Sequence, residues 1–259
     1  MPSYTIYLSR HGESLANVAG VIGGDASLSQ RGNAYAARLC QYIESGTPHG
    51  SPVWTSALRR TLQTMRPLVN DLPGFRHSEP AAQRASSTST LRHPLEPWSF
   101  NIRPGLNEID AGLLDGMSES EACMEHPDIM AARKADKLNY RYPAGESYVD
   151  LIERVGAECA ELDTLMQQRG ASAAKHQRHG RSSSRALDAD RDVDQAAEPT
   201  CWVIAHQATL RVVIGYFQGI DPVEIPHVVV PLHTVFEMVV QYCPTTGVRG
   251  PCHLRQICL

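Results

Sequence analysis

The amino-acid sequence predicts an α/β protein built as one large domain, alone or with a small lid. Three times along the chain, a short apolar run is followed by polar residues and then by a stretch with helical periodicity. The 259 residues, of which 42% are hydrophobic, are enough to fill one sizeable core. In open parallel sheets, ligands bind beyond the carboxyl ends of the strands. We therefore expect the polar residues of the three units to meet at one edge of a sheet.

The first unit begins with residues 4–9, whose apolar, β-branched and aromatic run is typical of a buried strand. Arg10 and His11 follow at its end. Ser29 is a suitable N-cap, so we expect a helix from there to about Glu44.

The second unit begins with a short strand at residues 52–55, after which Ser56 is expected to cap a helix that carries Arg60. The apolar positions of this helix form one buried stripe, made of Leu58, Leu62, Met65 and Val69.

The third unit joins a strand at residues 201–205 to a helix that ends near Gln218, with His206 and Gln207 at the junction. Before this unit, residues 147–167 have the periodicity of a strong amphipathic helix.

Two segments lack such patterns and are interpreted as insertions into a single domain that spans residues 1–259. Residues 76–98 are rich in Ser, Thr, Ala and Pro, and we expect a surface loop there. Residues 170–199 are low in complexity, with basic residues first and aspartates later. We expect this second segment to be disordered, because it cannot bury enough apolar surface to offset the entropy of ordering.

The amino-acid composition limits which partners and which cellular compartment are expected. The net charge of −4 does not indicate a nucleic-acid partner, and no apolar run approaches the roughly 20 residues of a membrane span. The first residues lack the basic and apolar regions of a signal peptide. Seven widely spaced cysteines favour reduced thiols and therefore a cytoplasmic protein. A zinc site is not expected, because the usual paired spacing is missing from its only conceivable ligands, Cys243, Cys252, His253 and Cys258.

Four residues from the three units suit the chemistry of a phosphoryl group: Arg10, His11, Arg60 and His206. Guanidinium forks match phosphate geometry, and a neutral imidazole can attack phosphorus to form a covalent intermediate. A carboxylic acid must then protonate the departing oxygen, and Glu13 and Glu108 are both candidates. The sequence has no H-E-x-x-H, EF-hand or P-loop motif, so we expect neither a metal nor a cofactor.

The residues alone leave a plainer alternative open. A single R-H-G tripeptide is a weak signal, because a histidine at a strand end is often a polar residue satisfied by its neighbours. In this interpretation Glu13 makes only a local hydrogen bond. His227 and His233 are interpreted as structural in either case.

Longer segments resemble a known family. Residues 8–14, LSRHGES, resemble the R-H-G signature of the histidine phosphatase, or phosphoglycerate mutase-like, superfamily. Six segments are similar to the bisphosphatase domain of the 6-phosphofructo-2-kinase/fructose-2,6-bisphosphatase family: residues 6–31, 53–64, 106–112, 133–151, 205–211 and 231–235. These segments span most of the chain outside the two insertions.

The resemblance implies a three-layer α/β/α sandwich with a mainly parallel central sheet and a small helical lid. It also implies that His11 is the nucleophile and that Glu108 protonates the leaving oxygen and later helps to activate water. The contacts to the transferred phosphoryl group would come from Arg10, Asn17, Gly23, Arg60 and His206.

The resemblance further implies a second subsite, for the 6-phosphate, made of Arg133, Lys137, Tyr148, Gln207 and Arg211. Glu119 departs from the family, which has a tyrosine at this place in the subsite. A carboxylate there weakens the attraction for a second phosphate, so we expect weaker binding of a sugar bisphosphate and a broader substrate range. The kinase domain that precedes this domain in the family is missing from the sequence, so a stand-alone bisphosphatase is expected.

The expected activity is hydrolysis of the 2-phosphate of fructose 2,6-bisphosphate through a phosphohistidine, which gives fructose 6-phosphate and phosphate. The expected partner is therefore a small sugar phosphate, and neither nucleic acid nor a membrane. Two alternatives stay open. One is a broader sugar-phosphate or phosphoglycerate phosphatase, and the other is a catalytically weak regulatory or binding module on the same fold.

Overall fold

The computed structural model describes residues 1–48, 50–69, 89–91, 99–180 and 198–259. Within these residues, seven strands form one sheet: β1 (Ser3–Arg10), β2 (Pro52–Thr55), β3 (Ser89–Leu91), β4 (Ser99–Ile102), β5 (Thr200–Ala205), β6 (Thr234–Tyr242) and β7 (Arg249–Cys258). Their spatial order is β3-β4-β2-β5-β1-β6-β7. The central strands β4, β2, β5 and β1 are parallel, and the outer pairings are antiparallel. The mainly parallel central sheet is therefore confirmed.

The register of the parallel strands brings the predicted polar residues to one edge. Arg10 at the end of β1 pairs with Ala205 at the end of β5, and Thr55 at the end of β2 pairs with Ile204. The residues that follow these strands therefore leave the sheet side by side, as the order of the three units predicts.

Helices cover both faces of the sheet. The described helices are α1 (Leu15–Ala19), α2 (Gln30–Gly46), α3 (Arg59–Met65), α4 (Glu119–Glu125), α5 (Pro127–Ala135), α6 (Tyr148–Gly180) and α7 (Gln207–Gln218). On one face, α2 and α3 pack against β2, β4 and β5 in a core that includes Tyr35, Met65 and Trp202. On the other face, α6 and α7 pack against β1, β5 and β6 around Leu151 and Val203. These are the three layers of an α/β/α sandwich.

A separate small core lies under α4 and α5. It consists of Ala111, Leu114, Ala122, Ile129 and Tyr142. The two short helices therefore pack on the 111–114 loop through their own apolar contacts. They correspond to the small helical lid that the resemblance implies.

Three local expectations need correction. The helix after β2 begins at Arg59 with Leu58 as its N-cap, so Ser56 does not cap it. Helix α6 continues to Gly180, because residues 171–174 include three alanines, which have the highest helix propensity. Residues 89–91 form a strand in a stretch expected to be a loop. The remaining parts of the two insertions, residues 76–88, 92–98 and 181–197, lie outside the described residues.

The final hairpin of β6 and β7 was not predicted from the sequence. Both strands alternate between inner and outer side chains along much of their length.

None of the helices in the described part of the chain has the length and apolar composition needed to cross a membrane.

Two glycines allow the start of α2 to touch the loop after His11. A Cβ on Gly12 would lie 2.4 Å from the carbonyl oxygen of Gly32. A Cβ on Gly32 would lie 2.0 Å from the carbonyl oxygen of Glu13. Because both obstacles are backbone atoms, neither can move aside cheaply.

We predict that Gly32→Ala lowers the free energy of unfolding by about 1–3 kcal/mol, because the new methyl group overpacks this contact. Gly156→Ala is the matched control, since a Cβ there meets nothing within 4 Å and the residue lies inside α6. The control should raise stability by about 0.5–1 kcal/mol. Urea unfolding of both variants checks the prediction, and equal stability of Gly32→Ala and the unmodified protein would contradict it.

Candidate active site

Side chains from α3 and from the ends of β1 and β5 meet in a buried cluster. The Nε atom of Arg60 lies 3.1 Å from Nε2 of His11 and 3.1 Å from Nδ1 of His206. All three side chains are buried. One guanidinium N–H is therefore shared between two imidazole rings.

The hydrogen-bond network assigns the proton on each ring. Arginine can only donate, so the two nitrogens that face Arg60 carry lone pairs. Nδ1 of His11 then donates to the carbonyl oxygen of Gly12 at 2.7 Å, and Nε2 of His206 donates to Oγ of Ser56 at 2.7 Å. His11 thus presents an unprotonated Nε2 to the site, which is the form that can attack phosphorus.

Burial and positive charge keep both rings neutral. Burial lowers the pKa of His11 well below its ordinary value of 6.5, and the Arg60 guanidinium lowers this pKa further. The pKa of His206 is lowered by the same two causes in the same order. Neutral imidazoles are therefore available at pH values where an exposed histidine is partly protonated.

Arg10 brings a second buried cation to the cluster. Its Nη1 donates to the carbonyl oxygen of Val230 at 3.0 Å, whereas its Nε is buried without a hydrogen-bond partner among the described residues. Burial lowers the pKa of Arg10 to about 10, which leaves it charged at neutral pH. A buried donor of this kind lacks an acceptor, and an anion would supply one.

The side chain of Glu108 contacts the first turn of α7 and lies close to both arginines. Its Oε1 accepts hydrogen bonds from the backbone N–H groups of Ile109 and Ala208, each at 3.1 Å. Burial lowers the pKa of Arg10 and of Arg60, and the Glu108 carboxylate is the neighbouring charge that opposes this effect most strongly. The other candidate acid, Glu13, is engaged elsewhere, because its Oε1 accepts a hydrogen bond from Oγ of Ser29 at 2.7 Å.

A cavity of about 580 Å³ opens beside Arg60 and Glu108. Gly23 forms part of its wall and has a φ of 65°, and a Cβ on this residue would lie 1.6 Å from Oδ1 of Asp115. The next residue, Gly24, accepts a hydrogen bond at 2.6 Å from Nη1 of Arg60 through its carbonyl oxygen. The glycine loop therefore positions the guanidinium and forms a wall of the cavity.

A second group of cations, here called the cationic cluster, consists of Arg133, Lys137 and Arg211. Arg211 donates to the hydroxyl of Tyr148 at 3.0 Å, and Lys137 donates to the carbonyl oxygen of Pro226 at 2.9 Å. Burial lowers the pKa of Lys137 to about 8, with Arg211 and Arg133 adding to the effect. Within the described residues, no carboxylate forms a salt bridge with any of the three.

The cationic cluster adjoins the histidine site. Arg211 contributes to the lowered pKa of Arg10, so the two groups of positive charge act on one another. Gln207 lies between them in the chain, as the first residue of α7 and directly after His206. An anion with two charged ends is therefore the kind of ligand that matches this pair of sites.

Two predicted site residues lie apart from these contacts. Asn17 is exposed, and its Oδ1 accepts hydrogen bonds from Ser14 as part of the capping box of α1. Glu119 is exposed at the first residue of α4. Among the described residues, Glu119 forms no salt bridge with Lys137 or Arg133 of the 6-phosphate subsite that the resemblance implies.

Other residues contribute to the site without a signal in the sequence. Ser56 accepts a hydrogen bond from Nε2 of His206 through its Oγ and does not cap a helix. His233 has a φ of 59°, its Nε2 accepts a hydrogen bond from the Glu13 backbone at 3.2 Å, and its ring stacks on Tyr35. The structural role expected for His233 thus includes holding the loop that follows His11.

Comparison with known proteins identifies the family. Residues 6–79 and 81–188 match the family model of the histidine phosphatase superfamily (branch 1). The chain belongs to this superfamily, as the R-H-G signature predicts.

Curated relatives with similar sequences point to one family within this superfamily. The chain is 34% identical over 233 residues to 6-phosphofructo-2-kinase/fructose-2,6-bisphosphatase from Gallus gallus, which covers 90% of this chain. It is 33% identical over 234 residues to 6-phosphofructo-2-kinase/fructose-2,6-bisphosphatase 1 from Homo sapiens, again over 90% of this chain. The chain spans only 37% of the length of each of these relatives.

Solved structures agree on the fold. An alpha-ribazole phosphatase from Shigella flexneri aligns with a TM-score of 0.61 at 19% identity, over 95% of this chain and 93% of that one. A mycobacterial glucosyl-3-phosphoglycerate phosphatase aligns with a TM-score of 0.63 at 16% identity, over 98% of this chain and 97% of that one. At these identities the likeness shows a shared histidine phosphatase fold.

Proposed function

We propose that this chain hydrolyses the 2-phosphate of fructose 2,6-bisphosphate through a phosphohistidine at His11. The observation that carries the proposal is the neutral His11 ring, whose unprotonated Nε2 lies beside buried arginines that form no salt bridge among the described residues. The cationic cluster next to this ring supports a substrate with a second phosphate. Family membership and the names of the curated relatives agree with this activity.

In the first step, Nε2 of His11 attacks phosphorus while the bond from phosphorus to the sugar oxygen breaks. Arg60 releases its hydrogen bond to His11 and donates to the phosphoryl oxygens, together with Arg10. Glu108, in its protonated form, gives its proton to the departing sugar oxygen. The products are the phosphohistidine and fructose 6-phosphate.

In the second step, water attacks the phosphorus of the phosphohistidine. Glu108, now a carboxylate, takes one proton from this water, and the bond between nitrogen and phosphorus breaks. The electron pair returns to Nε2 of His11, and inorganic phosphate leaves. The hydrogen bond from Nδ1 to the Gly12 carbonyl keeps the proton on the far nitrogen throughout, so Nε2 stays available for the next cycle.

Charge favours one orientation of a bisphosphate. The cavity beside Arg60 is also lined by Asp25, Asp110 and Asp115, which repel a second phosphate. The cationic cluster is positive, and none of its members forms a salt bridge within the described residues. The phosphate that is not transferred is therefore expected to bind at Arg133, Lys137 and Arg211.

One observation favours a broader sugar-phosphate phosphatase as the second candidate. Glu119 replaces the tyrosine that the family resemblance implies for the 6-phosphate subsite, and its side chain is exposed. The subsite thus lacks one neutral donor. Turnover of fructose 2,6-bisphosphate, fructose 1,6-bisphosphate and phosphoglycerates by the purified protein separates the two candidates, since the first requires a clear preference for fructose 2,6-bisphosphate.

We predict that His11→Ala abolishes the covalent intermediate and turnover, because no other group in the proposal accepts the phosphoryl group. Rapid quenching at alkaline pH with ³²P-labelled substrate should trap an acid-labile adduct in the unmodified protein. His253→Ala, a change at an exposed histidine on β7, is the matched control and should keep the adduct. A labelled adduct in His11→Ala, or loss of turnover in EDTA, would contradict the mechanism.

We predict that Arg133→Ala lowers kcat/KM for fructose 2,6-bisphosphate about 30- to 150-fold, because a charged donor to phosphate contributes on the order of 2–3 kcal/mol. Hydrolysis of a small monophosphate, which never reaches this subsite, should barely change. Lys134→Ala removes the neighbouring exposed charge of the same helix and serves as the control. Equal losses for both substrates, or equal losses in both variants, would exclude a phosphate subsite at Arg133.

A further inference from the structure

We infer that Arg154 is a positioning residue, which holds the loop that carries the proton donor Glu108. This inference rests on the proposed function, in which Glu108 protonates the leaving oxygen. Arg154 belongs to α6, about two turns after the helix begins, and it lines the cavity that opens beside Arg60 and Glu108. Nothing in its sequence neighbourhood distinguishes it from other charged residues on the surface of this helix.

All five N–H donors of Arg154 have acceptors. Its Nε and Nη2 bind the two carboxylate oxygens of Glu146 at 2.9 and 2.8 Å. Its Nη1 donates to the carbonyl oxygens of Gly105 and Asn107 at 2.8 and 3.2 Å. The second hydrogen of Nη2 points to the carbonyl oxygen of Glu108 itself, at 3.5 Å. One planar fork therefore fixes three carbonyl groups of a four-residue segment.

The segment that Arg154 holds has other supports at Asn107 and at the Glu108 carboxylate, but these do not reach the carbonyl oxygens of Gly105 and Glu108. Residues 104–106 form a single 3₁₀ turn, and the segment then leaves the sheet. Thr209 donates to the carbonyl oxygen of Asn107 at 2.9 Å, and the backbone N–H of Ala57 donates to the Asn107 side chain at 2.9 Å. The Glu108 carboxylate accepts from the backbone N–H of Ala208 at 3.1 Å. Among the described contacts, Arg154 is the hydrogen-bond donor to the carbonyl oxygens of Gly105 and Glu108, so its removal leaves both without a hydrogen bond from these residues.

Glu146 completes the clamp on the other side of Glu108. Besides binding Arg154, its Oε2 accepts a hydrogen bond from the backbone N–H of Asp110 at 3.0 Å. The ion pair thus holds the chain both before and after the proton donor. A lysine at position 154 would keep the charge, but its single ammonium group cannot reproduce the planar fork.

The expected effect is specific to proton donation. If the loop shifts, the Glu108 carboxyl moves relative to the leaving oxygen, whereas Arg10, Arg60 and His11 keep their own supports. A sugar oxygen leaves poorly without a proton, but a dinitrophenolate leaves readily as an anion. Loss of Arg154 should therefore slow phosphoryl transfer from a sugar phosphate far more than transfer from 2,4-dinitrophenyl phosphate.

The test compares Arg154→Met and Arg154→Lys in the full chain. Rapid quenching measures the rate of phosphorylation of His11 by fructose 2,6-bisphosphate and by 2,4-dinitrophenyl phosphate. We expect a fall of about 100-fold for the sugar bisphosphate, the scale of a misplaced general acid, and of less than about 3-fold for the aryl phosphate. If the Met variant does not fold, the Lys variant, which keeps the charge, decides the question.

Arg103→Met is the matched control. Arg103 also pairs with carboxylates of α6, Glu158 and Glu161, and its guanidinium lies over the ring of Trp54. Its side chain makes no hydrogen bond to residues 105–108 in the described contacts. The ratio of the two rates should therefore be unchanged in this variant, even where its stability falls as much as it does without Arg154.

The outcomes separate this inference from the function on which it rests. A changed ratio in the Arg154 variants and an unchanged ratio in Arg103→Met support the positioning role. Equal losses for both substrates in the Arg154 variants, or no loss for either, overturn it. If the unmodified protein forms no phosphohistidine, the proposed function fails first and the inference fails with it. A phosphohistidine with an unchanged ratio overturns the inference alone.

Discussion

The Nε atom of Arg60 lies 3.1 Å from Nε2 of His11 and 3.1 Å from Nδ1 of His206, and all three side chains are buried. A buried cation between two imidazoles is tolerable only while both rings are neutral, since a second positive charge there would be repelled and poorly solvated. This constraint assigns the lone pairs, and it gives His11 the form of a nucleophile. It also leaves the buried Nε of Arg10 without an acceptor among the described residues, so that an anion completes the site.

The rest of the site keeps this arrangement in place. Parallel pairing of β1 and β5 brings His11 and His206 side by side, and the Gly23–Gly24 loop accepts a hydrogen bond from the far side of Arg60. The Gly12 carbonyl oxygen accepts a hydrogen bond from Nδ1 of His11, and the Ser56 hydroxyl accepts one from Nε2 of His206. Each support acts on a different atom, which explains why the cluster needs contributions from three elements that are distant in sequence.

Much of this could be predicted from the sequence, because strand ends and helix periodicity are local patterns. The runs at residues 4–9 and 201–205 indicated buried strands, and their parallel pairing placed the residues after them at one edge. The position of His233 could not be foreseen, since a positive φ at a residue other than glycine depends on its surroundings. The clamp of Arg154 was equally hidden, because three of its acceptors are backbone carbonyls, which leave no trace in residue types. Residues 170–180 form the end of a helix where the composition predicts disorder. The prediction fails because a solvated helix end and a disordered segment have the same polar composition.

The account depends most directly on the protonation state of His11 in the free protein. Long-range ¹H–¹⁵N correlation spectra of ring-labelled, phosphate-free protein measure that state, with His11→Ala and His206→Ala used to assign the signals. Because burial and Arg60 lower the pKa of His11 well below 6.5, we predict a neutral ring with its proton on Nδ1 as the pH is lowered from 7.5 to 6. A His11 ring that takes up a second proton near pH 6.5, or that carries its proton on Nε2, would contradict the account.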